Sequence, residues 1–343
     1  MKKLFTILAV AATLVSCAKE DVVREAAREA IGFDNAFVEN STRSVNDPSF
    51  DADNMFSDFA VFGFVEGATL FDGTRVAKEG DAGITDCTDQ VNTGWKYNGT
   101  VYWIAGAKYN FNAVAPYTNG GWTKTAATKD ATTLSFTNNG TTDLLYAYAA
   151  QEGKVSGNTA VAFTFRHTLS KVKFSFENAY NATNATIKVR DVKITDAYAT
   201  GKVVLTDATA WDTQSGKLEL AFGNAVADGA TSTDAPAFAY NTTLESYNEM
   251  FMIPGEGPAT VTVDSVDKKC YTVTFTVDLL VSNSVVRSYA HTIKAVFAPE
   301  AGKSYDLKAT INPENIDPEN KQEPIEFTVN TLPGWGNTND QNI

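Results

Sequence analysis

The stretch Val161-Ala162-Phe163-Thr164-Phe165-Arg166-His167-Thr168-Leu169-Ser170-Lys171-Val172-Lys173-Phe174-Ser175-Phe176 decides the fold class. Side chains alternate across the two faces of a strand, so Val161, Phe163 and Phe165 share one face while Ala162, Thr164 and Arg166 share the other. Val172, Phe174 and Phe176 repeat the alternation in the opposite parity. A one-residue change of parity turns the apolar set over unless a turn or bulge absorbs it, and Thr168 to Lys171 is the place for that adjustment. The period of two predicts strands here, with no helical spacing of the apolar residues.

Working outward, the chain beyond residue 50 is a succession of short alternating segments separated by Gly, Asn and Asp. Phe56 to Phe64 reads as a strand, Gly99 to Trp103 as another after the turn-forming Asn98-Gly99 pair, and Tyr109 to Ala115 and Leu144 to Ala149 as two more. Further strands are expected over 186–194, 202–206, 217–222, 251–253, 259–263 and 271–279. No long amphipathic helix follows residue 50, and the helix–strand alternation of a parallel sheet is absent. The fold class is therefore all-β, with packed antiparallel sheets. About 326 residues follow Cys17, more than one core usually serves. Two tandem β-sandwiches are expected, 44–157 and 158–343, parted near the Gln151-Glu152-Gly153-Lys154 break.

The N-terminus has a different character. Met1, Lys2 and Lys3 precede an apolar run from Leu4 to Val15, a charged n-region and a short h-region. Twelve helical residues reach about 18 Å, short of the roughly 30 Å hydrocarbon core, so residues 1–16 read as an export signal. The signal ends in Leu14-Val15-Ser16-Cys17, which resembles the bacterial lipobox. That likeness implies acylation of Cys17, the first residue of the mature chain, and an outer-membrane anchor through lipid. Residues 17–43 read as a tether or propeptide, with Lys19 to Ile31 spaced for a short amphipathic helix and a polar stretch around Ser41-Thr42-Arg43-Ser44 after it.

Net charge is -13. Neutralising phosphates requires a basic surface, so nucleic acid is excluded as a partner. Beyond Cys17 the cysteines are Cys87 and Cys270. Two cysteines so far apart do not make a disulfide scaffold, and independent thiols and a single bridge both fit. His167 and His291 lack cysteines or carboxylates at metal-ligand spacing, and His167 reads as a structural hydrogen-bonding residue at the domain junction. Asp264 and Asp267 beside Lys268 and Lys269 read as a solvated hairpin. No phosphate-cradling glycine loop or strained nucleophile turn is present. The expectation is a protein with no catalytic residue, metal or cofactor. Trp95, Trp103 and Trp122 are the candidates for a sugar-stacking face, weighed against ordinary core and rim positions.

The C-terminal region closes the pattern. Gly302-Lys303-Ser304-Tyr305 leads into an alternating segment, a polar connector spans residues 312–324, and Ile325-Glu326-Phe327-Thr328-Val329 follows, with Ile325, Phe327 and Val329 pointing one way. Together with the lipobox at Cys17, Val101-Tyr102-Trp103 with Gly106 and Tyr109, Phe165 to Val172 and Trp335, these segments resemble the fimbrillin superfamily of Bacteroides-type bacteria, subunits of surface pili made as lipoprotein precursors. Ile104 departs from the proline that often follows the Tyr-Trp pair in that family.

The resemblance implies two transthyretin-like sandwiches, a place in the fimbrium at the cell surface, an arginine-specific protease and assembly with neighbouring copies or related subunits by strand exchange. Here it places the cut between Arg43 and Ser44, with Arg24 and Arg28 as alternatives inside the expected helix. It makes Ile325, Phe327 and Val329 the donor strand. Loss of an N-terminal strand would leave an apolar groove and unpaired backbone, an edge that accepts another chain's strand. Ile325 to Val329 completing its own sheet is the competing expectation. A non-polymerising glycan-binding lipoprotein and a lipid-retaining fimbrial anchor are the alternatives in function.

Overall fold

The computed structural model describes residues 29–38, 56–88, 90, 94–206, 210–319, 323–333 and 335. The export signal, Cys17, Arg43 and Ser44 lie outside these residues. In chain order the strands are β1 Phe33–Val38, β2 Asp58–Val65, β3 Ala68–Lys78, β4 Trp95–Tyr97, β5 Lys108–Ala115, β6 Trp122–Ala127, β7 Thr132–Thr137, β8 Leu145–Glu152, β9 Val161–His167, β10 Ser170–Asn178 and β11 Ala185–Ala197. They continue with β12 Thr200–Leu205, β13 Ala210–Ser215, β14 Leu218–Gly223, β15 Ala225–Val226, β16 Thr243–Ser246, β17 Met250–Met252, β18 Ala259–Val263, β19 Val266–Val281, β20 Ser284–Ala295, β21 Ser304–Ile311 and β22 Phe327–Leu332. The described residues hold no α-helix.

The first part of the chain closes into a barrel of strand order β1-β4-β3-β2-β5-β8-β9, where one sandwich was expected. Its strands are antiparallel except for β1, which runs parallel to β9 and closes the ring. The fold class agrees with the sequence; the closure does not, because it depends on a strand from the segment read as a tether. β2, Asp-Phe-Ala-Val-Phe-Gly-Phe-Val, is buried along its whole length. Phe59 and Val61 point into the barrel, and Ala60, Phe62 and Phe64 point outward under a second layer. Gly63 leaves room for aromatic packing: a Cβ there would lie 2.5 Å from the Phe71 ring.

That second layer is a four-stranded sheet, β13-β12-β7-β6, which draws β6 and β7 from one side of the expected boundary and β12 and β13 from the other. β9 also lies beyond residue 158 yet belongs to the barrel. The division at 157/158 therefore falls inside one packed unit. The change of chain path comes instead at Thr168 and Leu169, between β9 and β10, where the parity of the apolar residues changes.

The rest forms two facing sheets. One has the order β15-β16-β10-β21-β22 with β17 also on β10, and the other β14-β11-β19-β18 with β20 on β19. Phe174 meets Phe222 at 4.7 Å and Phe176 meets Phe275 at 5.2 Å across the shared core. β10 and β21 pair in parallel, a long-range pairing that local alternation does not encode. The strand expected over Gly99 to Trp103 lies earlier, as β4, and Tyr102 makes only an isolated bridge to Ala30.

Candidate assembly site

Residues 29–38 are the first element of the site. Ile31 and Phe33 are fully buried. Phe33 stacks on Phe163 at 5.8 Å and meets Phe71, Tyr97 and Phe111 edge-on at 5.5 to 6.0 Å. Burying an Ile and a Phe contributes about 1.5 to 3 kcal/mol each. The sequence places this segment in a tether and Ile31 in a helix, yet residues 29–31 are not helical and Ala30 makes an isolated bridge to Tyr102. The Ile31-x-Phe33 alternation fits a barrel that already supplies an apolar slot, and tertiary context overrides the weak helical spacing before it.

Backbone and polar side chains hold the same segment on three sides. Ile31 N–H donates to the Val101 carbonyl at 2.7 Å, Trp103 N–H to the Glu29 carbonyl at 3.0 Å and Val161 N–H to the Gly32 carbonyl at 2.8 Å. The Tyr97 hydroxyl donates to the Ile31 carbonyl at 2.9 Å. Burial pushes the Tyr97 phenol up to about 12, so it stays a donor at neutral pH. The Glu29 carboxylate accepts from Gly157 N–H at 2.7 Å and from Asn158 N–H and side-chain amide at 2.6 Å. Gly157 turns there with φ +71°, a conformation that favours glycine. These donors, Asn158 N–H first and Gly157 N–H next, hold the Glu29 carboxyl below its ordinary value.

β22 is the second element. It lies antiparallel on β21 at the edge of its own sheet, with Leu307 opposite Val329 and Ala309 opposite Phe327. Ile325 is buried, and the half-buried Phe327 meets Phe174 at 5.3 Å and Phe275 at 6.2 Å. Val329 is 36% exposed, so the third side chain of the expected apolar face does not enter this core. Beyond β22, Trp335 lies 4.1 Å from the His167 ring and 5.9 Å from Phe251, with Lys171 Nζ 5.7 Å from its centre. The C-terminal segment thus spans from the sandwich edge back to the end of β9.

The other candidates fall elsewhere. Trp95 and Trp103 are buried in the barrel, Trp95 against Phe59 at 5.0 Å and Trp103 against Tyr109 at 4.7 Å. Half-buried Trp122 packs edge-on against Phe62 and Tyr117 and donates its indole N–H to the Pro116 carbonyl at 2.8 Å. The three tryptophans form no common sugar-stacking face; a closed barrel has a deep interior, and large aromatic rings fill it. His167 is buried at the end of β9, and its Nδ1 pairs with the Asp143 carboxylate, a partner 24 residues away that spacing did not reveal. Its Nε2 is buried and has no hydrogen-bond partner. His291 stacks on Phe275. Cys87 and Cys270 are free thiols. Among the described residues no group of three or more His, Cys, Asp or Glu is placed to hold a metal ion.

Among the described residues the scaffold is all-β, with β1 closing the barrel and β22 at the open edge of its sheet. The family model described as fimbrillin-like matches residues 42–331, and the chain belongs to that family, a fimbrial and adhesive group rather than an enzyme group. A search of curated proteins finds no match. Among solved structures, a cell adhesion candidate from Parabacteroides distasonis is 11% identical with a TM-score of 0.47, covering 91% of this chain and 98% of its own. Another from Bacteroides uniformis is 14% identical with a TM-score of 0.44, covering 90% and 98%. The fimbrial anchor protein Mfa2 from Porphyromonas gingivalis is 11% identical with a TM-score of 0.35, covering 90% and 98%. Similarity this low says nothing about what this chain binds.

Proposed function

We propose that this protein is a structural subunit of surface fimbriae, carried to the outer membrane by a lipid on Cys17, cut after Arg43 and joined to its neighbours by strand exchange. The observation that supports this reading is that β1 alone links β4 to β9. A cut between Arg43 and Ser44 would release the segment carrying β1 and open a slot lined by Phe71, Phe111 and Phe163, with unpaired backbone on β9. Such an edge accepts a strand from another chain. Ile325, Phe327 and Val329 are the donor side chains, worth on the order of 5 to 9 kcal/mol if all three bury, before ordering costs. No catalytic step is involved, and adhesion would be a property of the assembled fibre.

The docking of β22 in its own sheet favours a second reading, a lipid-retaining anchor or a non-polymerising adhesive lipoprotein. The N-terminal residue of the protein on intact cells separates the two. A start at Ser44 without lipid is expected of a subunit, and a start at acylated Cys17 would establish the anchor instead. Phe327→Asp is expected to leave a folded monomer and to abolish the ladder of subunit multiples on partly denaturing gels. Normal ladders from that variant would overturn strand donation.

A further inference from the structure

The two terminal segments share a pattern. Glu29-Ala30-Ile31-Gly32-Phe33 and Glu323-Pro324-Ile325-Glu326-Phe327 both read Glu-x-Ile-x-Phe, and each leads into a six-residue strand that starts at its Phe. In the first segment every repeated residue has a defined role: Glu29 takes the Gly157 and Asn158 donors, Ile31 is buried, and Phe33 is the hub of the barrel's aromatic core.

We infer the register of the strand exchange from this pattern: a donor segment Glu323 to Leu332 would seat with Glu323, Ile325 and Phe327 in the places of Glu29, Ile31 and Phe33. This rests on the strand-donation reading and adds to it the register and the recognition of a carboxylate. Three further features fit. Pairing around position 30 uses the Glu29 carbonyl and the Ile31 N–H, so Pro324, which lacks an N–H, takes Ala30's place without losing a bond described there. Glu323 is exposed in its own chain, so its carboxylate is available to a partner. Finally, β1 runs parallel to β9 with Phe33 opposite Val161, so Phe327 would stand opposite Val161, and a donor that repeats the β1 bulge between Asp34 and Phe37 would set Leu332, in the place of Val38, opposite Phe165. Trp335, three residues on, then comes abreast of Thr168 and beside His167. That is the place its own chain's Trp335 occupies, so each junction would exchange one Trp335 for another.

The test is a charge swap in the full chain, processed on cells. Glu323→Lys and Asn158→Asp singly are expected to shorten the ladders, Glu323→Lys with an unchanged precursor melting temperature and Asn158→Asp with a lowered one, because it sets a carboxylate in place of the amide that donates to Glu29. The two together, which set a cation on the donor segment against an anion in the slot, are expected to restore them. Wild-type ladders from both single variants, or a double variant no better than the singles, would overturn the register. Phe327→Asp separates the two levels: if it blocks assembly while the charge swap has no effect, strand donation stands and only the register falls. Asn158 also serves Glu29 in the precursor, so a second measurement guards against misfolding. A labelled peptide of residues 323–332 is expected to bind the protease-treated wild-type chain about fivefold more tightly than its Glu323→Ala form. Equal binding of the two peptides would refute the role of Glu323.

Discussion

At the residue scale, one carboxylate and one ring hold the N-terminal segment. Glu29 is the polar clamp: its carboxyl lies below the ordinary value because Asn158 and Gly157 donate to the charged form. A carboxyl depressed in the folded state adds stability that is complete above its unfolded pKa and is lost as pH falls through the lower folded value. Opening of the β1 slot is therefore expected to become easier below the ordinary Glu pKa of 4.5. The measurement is exchange of the Ile31 amide, corrected for intrinsic chemistry. Glu29→Gln should open more readily at neutral pH and lose this dependence; an unchanged pH profile in Glu29→Gln would remove the clamp. None of this was legible from Glu29 in sequence, where it is one charge among several in an expected helix. The same limit explains Asp143 beside His167 and the burial of Trp95 and Trp103: residue type suggests a polar partner or an apolar packing site, but only the fold says which residue supplies it.

At the element scale, β1 is the critical strand. Phe33 touches rings from β2, β3, β4, β5 and β9, so its truncation leaves a cavity bounded by most of the barrel. Phe33→Ala is expected to cost about 3 to 5 kcal/mol in urea unfolding of the precursor. It should cost nothing in a fibre whose slot is filled by another chain, since residue 33 would have left with the propeptide. Equal destabilisation of fibre and precursor would mean that β1 stays in place. Strand existence was readable where alternation is strong, as in β5, β9, β10 and β18. β20 went unread because its sequence, Ser284 to Ala295, is exposed along most of its length and Arg287 and His291 interrupt the face that carries Val285, Tyr289 and Ile293. β1 went unread because Gly32 and the charged residues before it interrupt the pattern, and because its apolar partners lie on strands far along the chain.

At the scale of the whole molecule, charge and closure matter. The chain carries -13, and the residues up to Arg43 hold equal numbers of acids and bases, so cleavage there leaves that charge unchanged. Copies repel one another before any strand is exchanged. Raising ionic strength from about 0.01 to about 0.15 M shortens the Debye length from roughly 30 to roughly 8 Å, and assembly of processed chains is expected to speed up accordingly. A rate independent of salt would mean that encounter is not limited by this repulsion.

By itself the sequence determined the all-β class, the acidic surface, the break between β9 and β10 and the apolar strand near the C-terminus, because each is written in local alternation or composition. Only the tertiary structure decided that residues 29–38 close a barrel, that the four-stranded sheet crosses the expected domain boundary, and that β22 rests on β21. Those facts depend on which distant strand completes an unpaired edge. Edge pairing is set by slots the whole fold creates, which no single stretch of sequence specifies.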